Sequence, residues 1–207
     1  PTGETALRQA LEALNQKNFA VLDDAVGEQM QQAILAAKAD CDSVGGILET
    51  AVVGLPAGLG EPFFGSVESV LSTLFFSIPA VKGVEFGLGF GFAPLLGSQG
   101  NDAFIVEDGQ VRTATNQNGG INGGITNGMP VLLRAVVKPT PSISKAQATV
   151  SINTMEEDTL ELKGRHDPCV LHRARAVADA MAAIGLVDLF SQRYGTLWQT
   201  EAAHGAL

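Results

Sequence analysis

Between Lys163 and Cys169 the chain reads KGRHDPC. Two cations, an imidazole and a carboxylate fall within five positions, in a chain with 13 Lys and Arg against 22 Asp and Glu. Arg165 offers a planar fork suited to phosphate or carboxylate. His166 is the side-chain type that exchanges a proton near neutral pH. Asp167 lies two residues from Arg165, so the spacing predicts an Arg165–Asp167 pair. Such a cluster can hold an anionic ligand and handle one proton. Its bland alternative is a helix N-cap Asp with an Arg salt partner. Pro168 biases Asp167 away from helical angles and can open a helix at its first turn. His172, Arg173 and Arg175 follow on or near that helix start.

Two other stretches supply backbone chemistry. TNQNGGINGGITNG (115–128) has two Gly-Gly pairs among polar amide and hydroxyl side chains. Glycines at positive φ can bring bare N–H groups close to a phosphate. No Lys-Ser/Thr follows the last glycine, so it is no Walker loop, and no G-x-G-x-x-G unit suggests a dinucleotide oxidoreductase. The alternative is a hairpin connection with tight turns. Lys138-Pro-Thr-Pro-Ser142 then leaves a strand with two fixed φ angles, stiff and extended. A stiff track can line a polar ligand with little entropy lost on binding. It can equally be a rigid exit from a sheet edge.

The elements that must position these residues alternate in character. ETALRQALEAL places Ala6, Leu7, Ala10, Leu11 and Leu14 on one helical face, and LDDAVGEQMQQAILAAKAD repeats the pattern. GGILETAVVG (45–54) reads as a strand between glycines. SVESVLSTLFFSI reads as a helix capped by Ser66, with a stripe of Val70, Leu71, Leu74, Phe75 and Ile78 ended by Pro79. VKGVEFGLGF (81–90), QVRTAT, VLLRAVVK (131–138), QATVSIN and TLELKG read as strands. A last helix runs from about His172 to Arg193. The fold class expected is α/β (α+β), built in layers around one core. All 207 residues make a single domain, with a helical lead-in over 1–40 and a tail over 194–207.

Composition narrows the function. A hydrophobic share of 45% and a charged share of 17% describe a folded chain. The formal charge of −9 argues against nucleic acid and anionic membranes, so an anion must be held by a local basic cluster. No apolar run is long enough to span a bilayer and no signal peptide opens the chain. Cys41 and Cys169 are far apart, show no metal-ligand spacing, and are both expected buried; two lone thiols suggest a reducing cytoplasm. No metal is expected. Pro1 in place of Met suggests a fragment or processed product.

PAGLGEP, SIPAVKGVEFG, GGINGGITNG, KPTPSI and KGRHDPC stand in the order and spacing of chorismate synthase, which the chain resembles over roughly residues 35 to 193. This corresponds to the later half of a family member. The Gly-Glu-Ser-His-Gly motif and the RET segment of the earlier half do not appear. The resemblance implies a β-α-β sandwich, incomplete here, in a cytoplasmic homotetramer. It implies a shikimate-pathway lyase converting 5-enolpyruvylshikimate 3-phosphate to chorismate by 1,4-anti elimination of phosphate. Reduced FMN is the implied cofactor; NADPH would enter only through flavin reduction. By motif, Pro79, Ala80 and Gly123 match backbone contacts of the flavin, and Lys138, Pro139, Thr140, Pro141 and Ser142 match its stiff lining. Arg165 matches a residue at flavin and substrate. Asp167 matches the carboxylate that assists deprotonation at flavin N5. The family's two catalytic histidines belong to the earlier half, and His166, His172 and His204 sit in no matching motif. The chain alone is therefore expected to have little activity, and to expose apolar surface that could drive self-association. The alternative is a non-catalytic oligomerisation or weak flavin-binding module derived from the family.

Overall fold

The structure is a computed structural model, and it describes residues 4–107 and 109–195. Its frame is a three-stranded antiparallel sheet in the order β1–β7–β2, formed by Gly46–Val52, Val131–Val137 and Val81–Phe86. Central β7 reads VLLRAVV, and its alternate residues Val131, Leu133, Ala135 and Val137 are buried. That is the period-2 signature of a sheet covered on one face.

Two helices cover this face. α3 (Val67–Phe76) begins at Ser66, whose side chain accepts from the Ser69 amide. α5 (Leu171–Tyr194) lies beside it. α3 buries Val67, Leu71 and Phe75, and Ile78 follows in the turn beyond. α5 turns Ala178, Ala182, Gly185 and Leu189 inward. Small residues let the two axes approach. A Cβ on Gly185 would stand 2.8 Å from Leu74 Cδ1 and 2.9 Å from Leu71 Cδ2. With the sheet residues and Leu59 these side chains form one hydrophobic core. Each large buried side chain contributes about 1.5–3 kcal/mol.

The lead-in is helical as its period predicts: α1 spans Glu4–Leu14 and α2 spans Asp24–Ala39. Asp23 caps α2 by accepting from the Ala25 and Val26 amides. The five stripe residues of α1, Ala6, Leu7, Ala10, Leu11 and Leu14, are half-buried, so the stripe lies on the molecule without joining the core. A short turn of helix, α4 (Gly97–Gly100), precedes three antiparallel hairpins. These are β3–β4 (Phe104–Glu107, Gln110–Thr113), β5–β6 (Ile121–Asn122, Ile125–Thr126) and β8–β9 (Gln147–Ser151, Glu156–Leu160).

Several expectations shift. The strand expected over 81–90 ends at Phe86, because Gly87 and Gly89 take φ of +55° and +54° and turn the chain. The strand expected at TLELKG lies earlier, over Glu156–Leu160, where it pairs with β8. A strand outside those expected, β3, lies in AFIVE (103–107) and pairs with β4. Cys169 is buried, whereas Cys41 is exposed just past α2. The tail lies outside the described residues beyond Gly195, and His204 with it.

The expected apolar exposure is present. Phe76 on α3 and Val177, Ile184 and Val187 on α5 are exposed, all on the helical layer, as are Val26, Met30 and Leu35 on α2. Among the described residues no helix is long and apolar enough to cross a membrane.

Candidate functional site

One end of the central sheet gathers most of the residues singled out above. β7 stops at Val137 and runs directly into Lys138–Ser142. β2 begins opposite Val137, just after Pro79 and Ala80, and β1 begins opposite it on the other side, just after Ser43–Gly45. The Lys138 amide donates to the Ala80 carbonyl at 2.8 Å. Ala80 sits at φ +72°, a left-handed angle uncommon for a residue with a side chain. Pro79 is exposed and Ala80 half-buried.

The 40–45 segment ties the pieces. Ser43 Oγ donates to the Thr140 carbonyl at 2.6 Å, and the Val44 amide donates to the Pro168 carbonyl at 2.8 Å. A Cβ on Gly45 would stand 2.3 Å from the Val137 carbonyl oxygen and 2.8 Å from the Pro139 nitrogen. Only glycine lets the chain cross there. Lys145 Nζ donates to Asp42 Oδ2 at 3.0 Å and also to Asp40. The Ser43 amide and Lys145 hold the Asp42 carboxyl below the usual range, and Asp40 with Asp42 pushes Lys145 up.

The KGRHDPC segment joins this end through Pro168. Asp167 pairs with Arg173, not with Arg165. Helical side chains lean toward the N-terminus. Arg173, in the first turn of α5, therefore reaches back over the preceding loop. Pro168 does not open the helix. α5 starts at Leu171 after Val170, whose side chain makes no capping bond. The Pro168 carbonyl is engaged by Val44, and buried Cys169 anchors the chain between. Arg165 and Lys138 are exposed and make no ion pair with the described residues. His166 is half-buried, and its Nε2 is a buried atom with no hydrogen-bond partner among the described residues.

Gly123 is not brought to this end. It sits in the two-residue turn of the β5–β6 hairpin, where Gly123 and Gly124 take φ of +59° and +86°. The Gly124 carbonyl accepts from the Val67 amide at the start of α3. The first glycine pair is structural: Gly119 abuts Gly87, and Gly120 abuts the Pro130 carbonyl. The loop thus lies beside the beginning of β7, and Lys138 lies at its far end. A ligand touching both would run the length of that strand, about 20 Å at ~3.4 Å per residue.

Asp102 organises this second end and escaped the sequence reading. It is 4% exposed and accepts from Thr115 Oγ1, the Gln117 and Asn118 amides and Asn118 Nδ2 at 2.6–2.8 Å. Burial pushes its carboxyl up, but these bonds together outweigh burial and leave it below the ordinary range. No local pattern marks an Asp whose partners are 13 to 16 residues away. Ser43 and Lys145 escaped for the same reason, their partners lying about a hundred residues off in sequence. No group of three or more His, Cys, Asp and Glu suited to a metal occurs among the described residues.

The chain matches the family model described as chorismate synthase over residues 4–190. It is 48% identical over 176 residues to a chorismate synthase of Dehalococcoides mccartyi, covering 85% of this chain and 48% of that protein. A chorismate synthase of Archaeoglobus fulgidus is 53% identical over 147 residues, covering 71% of this chain and 41% of that protein. A crystal structure of chorismate synthase superposes with a TM-score of 0.69 at 29% identity, over 85% of this chain and 46% of that one. The chain spans about half the length of the curated relatives it matches. Motif order, sheet and helical layer, and these likenesses agree: the chain belongs to the chorismate synthase family.

Proposed function

We propose that this chain carries the flavin-lining part of a chorismate synthase, acting in the elimination of phosphate from 5-enolpyruvylshikimate 3-phosphate. The observation that carries the reading is the meeting of Pro79–Ala80, Lys138–Ser142 and the Arg165–Asp167 loop at one end of the sheet. The residues there fit reduced FMN. Two cations unpaired among the described residues suit its phosphate and the anionic substrate, and His166 Nε2 is a buried polar atom with no hydrogen-bond partner among those residues. When bound, reduced FMN supplies reversible electron donation to a substrate that loses phosphate with no net redox change.

The chain's own residues bind and orient. Lys138 and Arg165 hold anionic groups as a point charge and as a planar fork. Pro139 and Pro141 keep the track rigid, so Thr140 and Ser142 present their polar groups without an ordering cost. Pro79 and Ala80 offer backbone. Asp167, held by Arg173, accepts or returns one proton. Gly123, at the other end of β7, takes no part in this arrangement around Lys138. The further reading as a homotetramer in the cytoplasm rests on the family resemblance.

The family's histidine motif is absent from these 207 residues. The chain alone is therefore expected to bind FMN weakly and to turn over little or no substrate. Fluorescence titration with FMN and an anaerobic assay with chemically reduced FMN measure the two. Near-native turnover by this chain would refute the division of labour, and absence of any FMN binding would refute the site.

A further inference from the structure

The stiff track is rigid within itself, but two prolines do not decide where it points. That is decided by contacts from a segment more than ninety residues earlier. Ser43 Oγ grips the Thr140 carbonyl at 2.6 Å. Gly45 passes so close to Val137 and Pro139 that no side chain fits between. Beyond the track, Lys145 is held by both Asp40 and Asp42, and Gln147 Nε2 donates to the Pro141 carbonyl at 3.2 Å. The same segment reaches the KGRHDPC loop through the Val44–Pro168 bond.

We propose that Asp40, Asp42 and Ser43, with Lys145, are positioning residues that clamp the Lys138–Ser142 track and register it against the Arg165–Asp167 loop. The proposal rests on the reading that this track lines the flavin. None of the four is required to touch the cofactor. They act by fixing the carbonyls and the exit direction of a strand that would otherwise swing about Val137. The track is held at its entry by Gly45, at its middle by Ser43, and just beyond its exit by the double ion pair on Lys145. A hydrogen bond to a charged partner is the stronger kind, and a nitrogen shared by two carboxylates keeps one partner when the other is lost.

The test uses this chain with Lys145→Met, Ser43→Ala and Lys145→Arg, and Lys17→Met as control. Lys17 makes a comparable ion pair with Asp24 at 2.6 Å, away from the track. Amide hydrogen exchange is read over 138–147 and FMN affinity by fluorescence titration. Lys145→Met and Ser43→Ala should speed exchange over that segment about tenfold while leaving the β7 amides protected. They should also weaken FMN about tenfold, the scale of one lost positioning hydrogen bond. Lys145→Arg should restore both, and Lys17→Met should change neither. Unchanged exchange over 138–147 overturns the clamp. Faster exchange with unchanged FMN affinity leaves only a structural tether and overturns the positioning role. No FMN binding by the wild-type chain overturns the flavin reading itself, and exchange then still decides whether the tether exists.

Discussion

Asp102 holds the start of the glycine-rich loop with one carboxylate, so its neutral isostere separates shape from acceptor capacity. Asp102→Asn keeps the volume but turns an amide group toward donors that already point inward. The loss should be roughly 2–3 kcal/mol, read as a lower denaturation midpoint, because charged hydrogen bonds are lost and donors are left unpaired. The same carboxyl sets a pH dependence. Its folded value lies below that of the unfolded chain, about 3.9. Its contribution is then complete above the unfolded value and is lost as pH falls through the folded one. Asp42 acts in the same direction. Urea midpoints should fall as pH drops below about 4, and Asp102→Asn should flatten that fall. A midpoint that does not drop in acid contradicts the assignment. At this scale sequence spacing misleads most: Arg165 and Asp167 are neighbours in the chain, yet the carboxylate turns to Arg173.

The hairpin Ile121–Thr126 shows what the two glycine pairs are for. Gly123 and Gly124 alone close its turn, as a two-residue connection with both φ angles positive demands. They differ in surroundings. A Cβ on Gly123 meets nothing within 4 Å, whereas one on Gly124 would stand 2.7 Å from Ser66 Cβ. Gly123→Asn should therefore cost less than about 1 kcal/mol, since Asn tolerates the left-handed region. Gly124→Asn should cost about 2 kcal/mol or more through strain at the start of α3. Equal thermal shifts in the two variants would contradict this reading. The hairpin was legible as one of two alternatives. Its partner, the start of α3, was not, because nothing local in INGGIT names the helix it rests on.

For the molecule as a whole, the decisive feature is the apolar surface on the helical layer. α5 buries Ala178, Ala182, Gly185 and Leu189 on one side and exposes Val177, Ile184 and Val187 on the other. A helix apolar on both sides is built to be covered on both. The chain alone should therefore self-associate with rising concentration. Ile184→Glu combined with Val187→Glu should shift it toward monomer in sedimentation velocity, with stability changed by no more than about 1 kcal/mol because both positions are exposed. A wild-type chain that stays monomeric at high concentration contradicts the prediction.

Motif order and hydrophobic period were enough to place the chain in its family and to locate the α1, α2, α3, α5, β1 and β7 elements. Both are local properties, written in runs such as VLLRAVVK and SVESVLSTLFF. Tertiary structure alone decided which ends meet. It brought Thr140 to Ser43 and Pro168 to Val44, sent Gly123 to the opposite end of β7, and gave Asp167 to a helical arginine. The reason is physical. A strand's direction and pairing set the neighbours of its ends, and those depend on partners tens of residues away, which no short window of sequence contains.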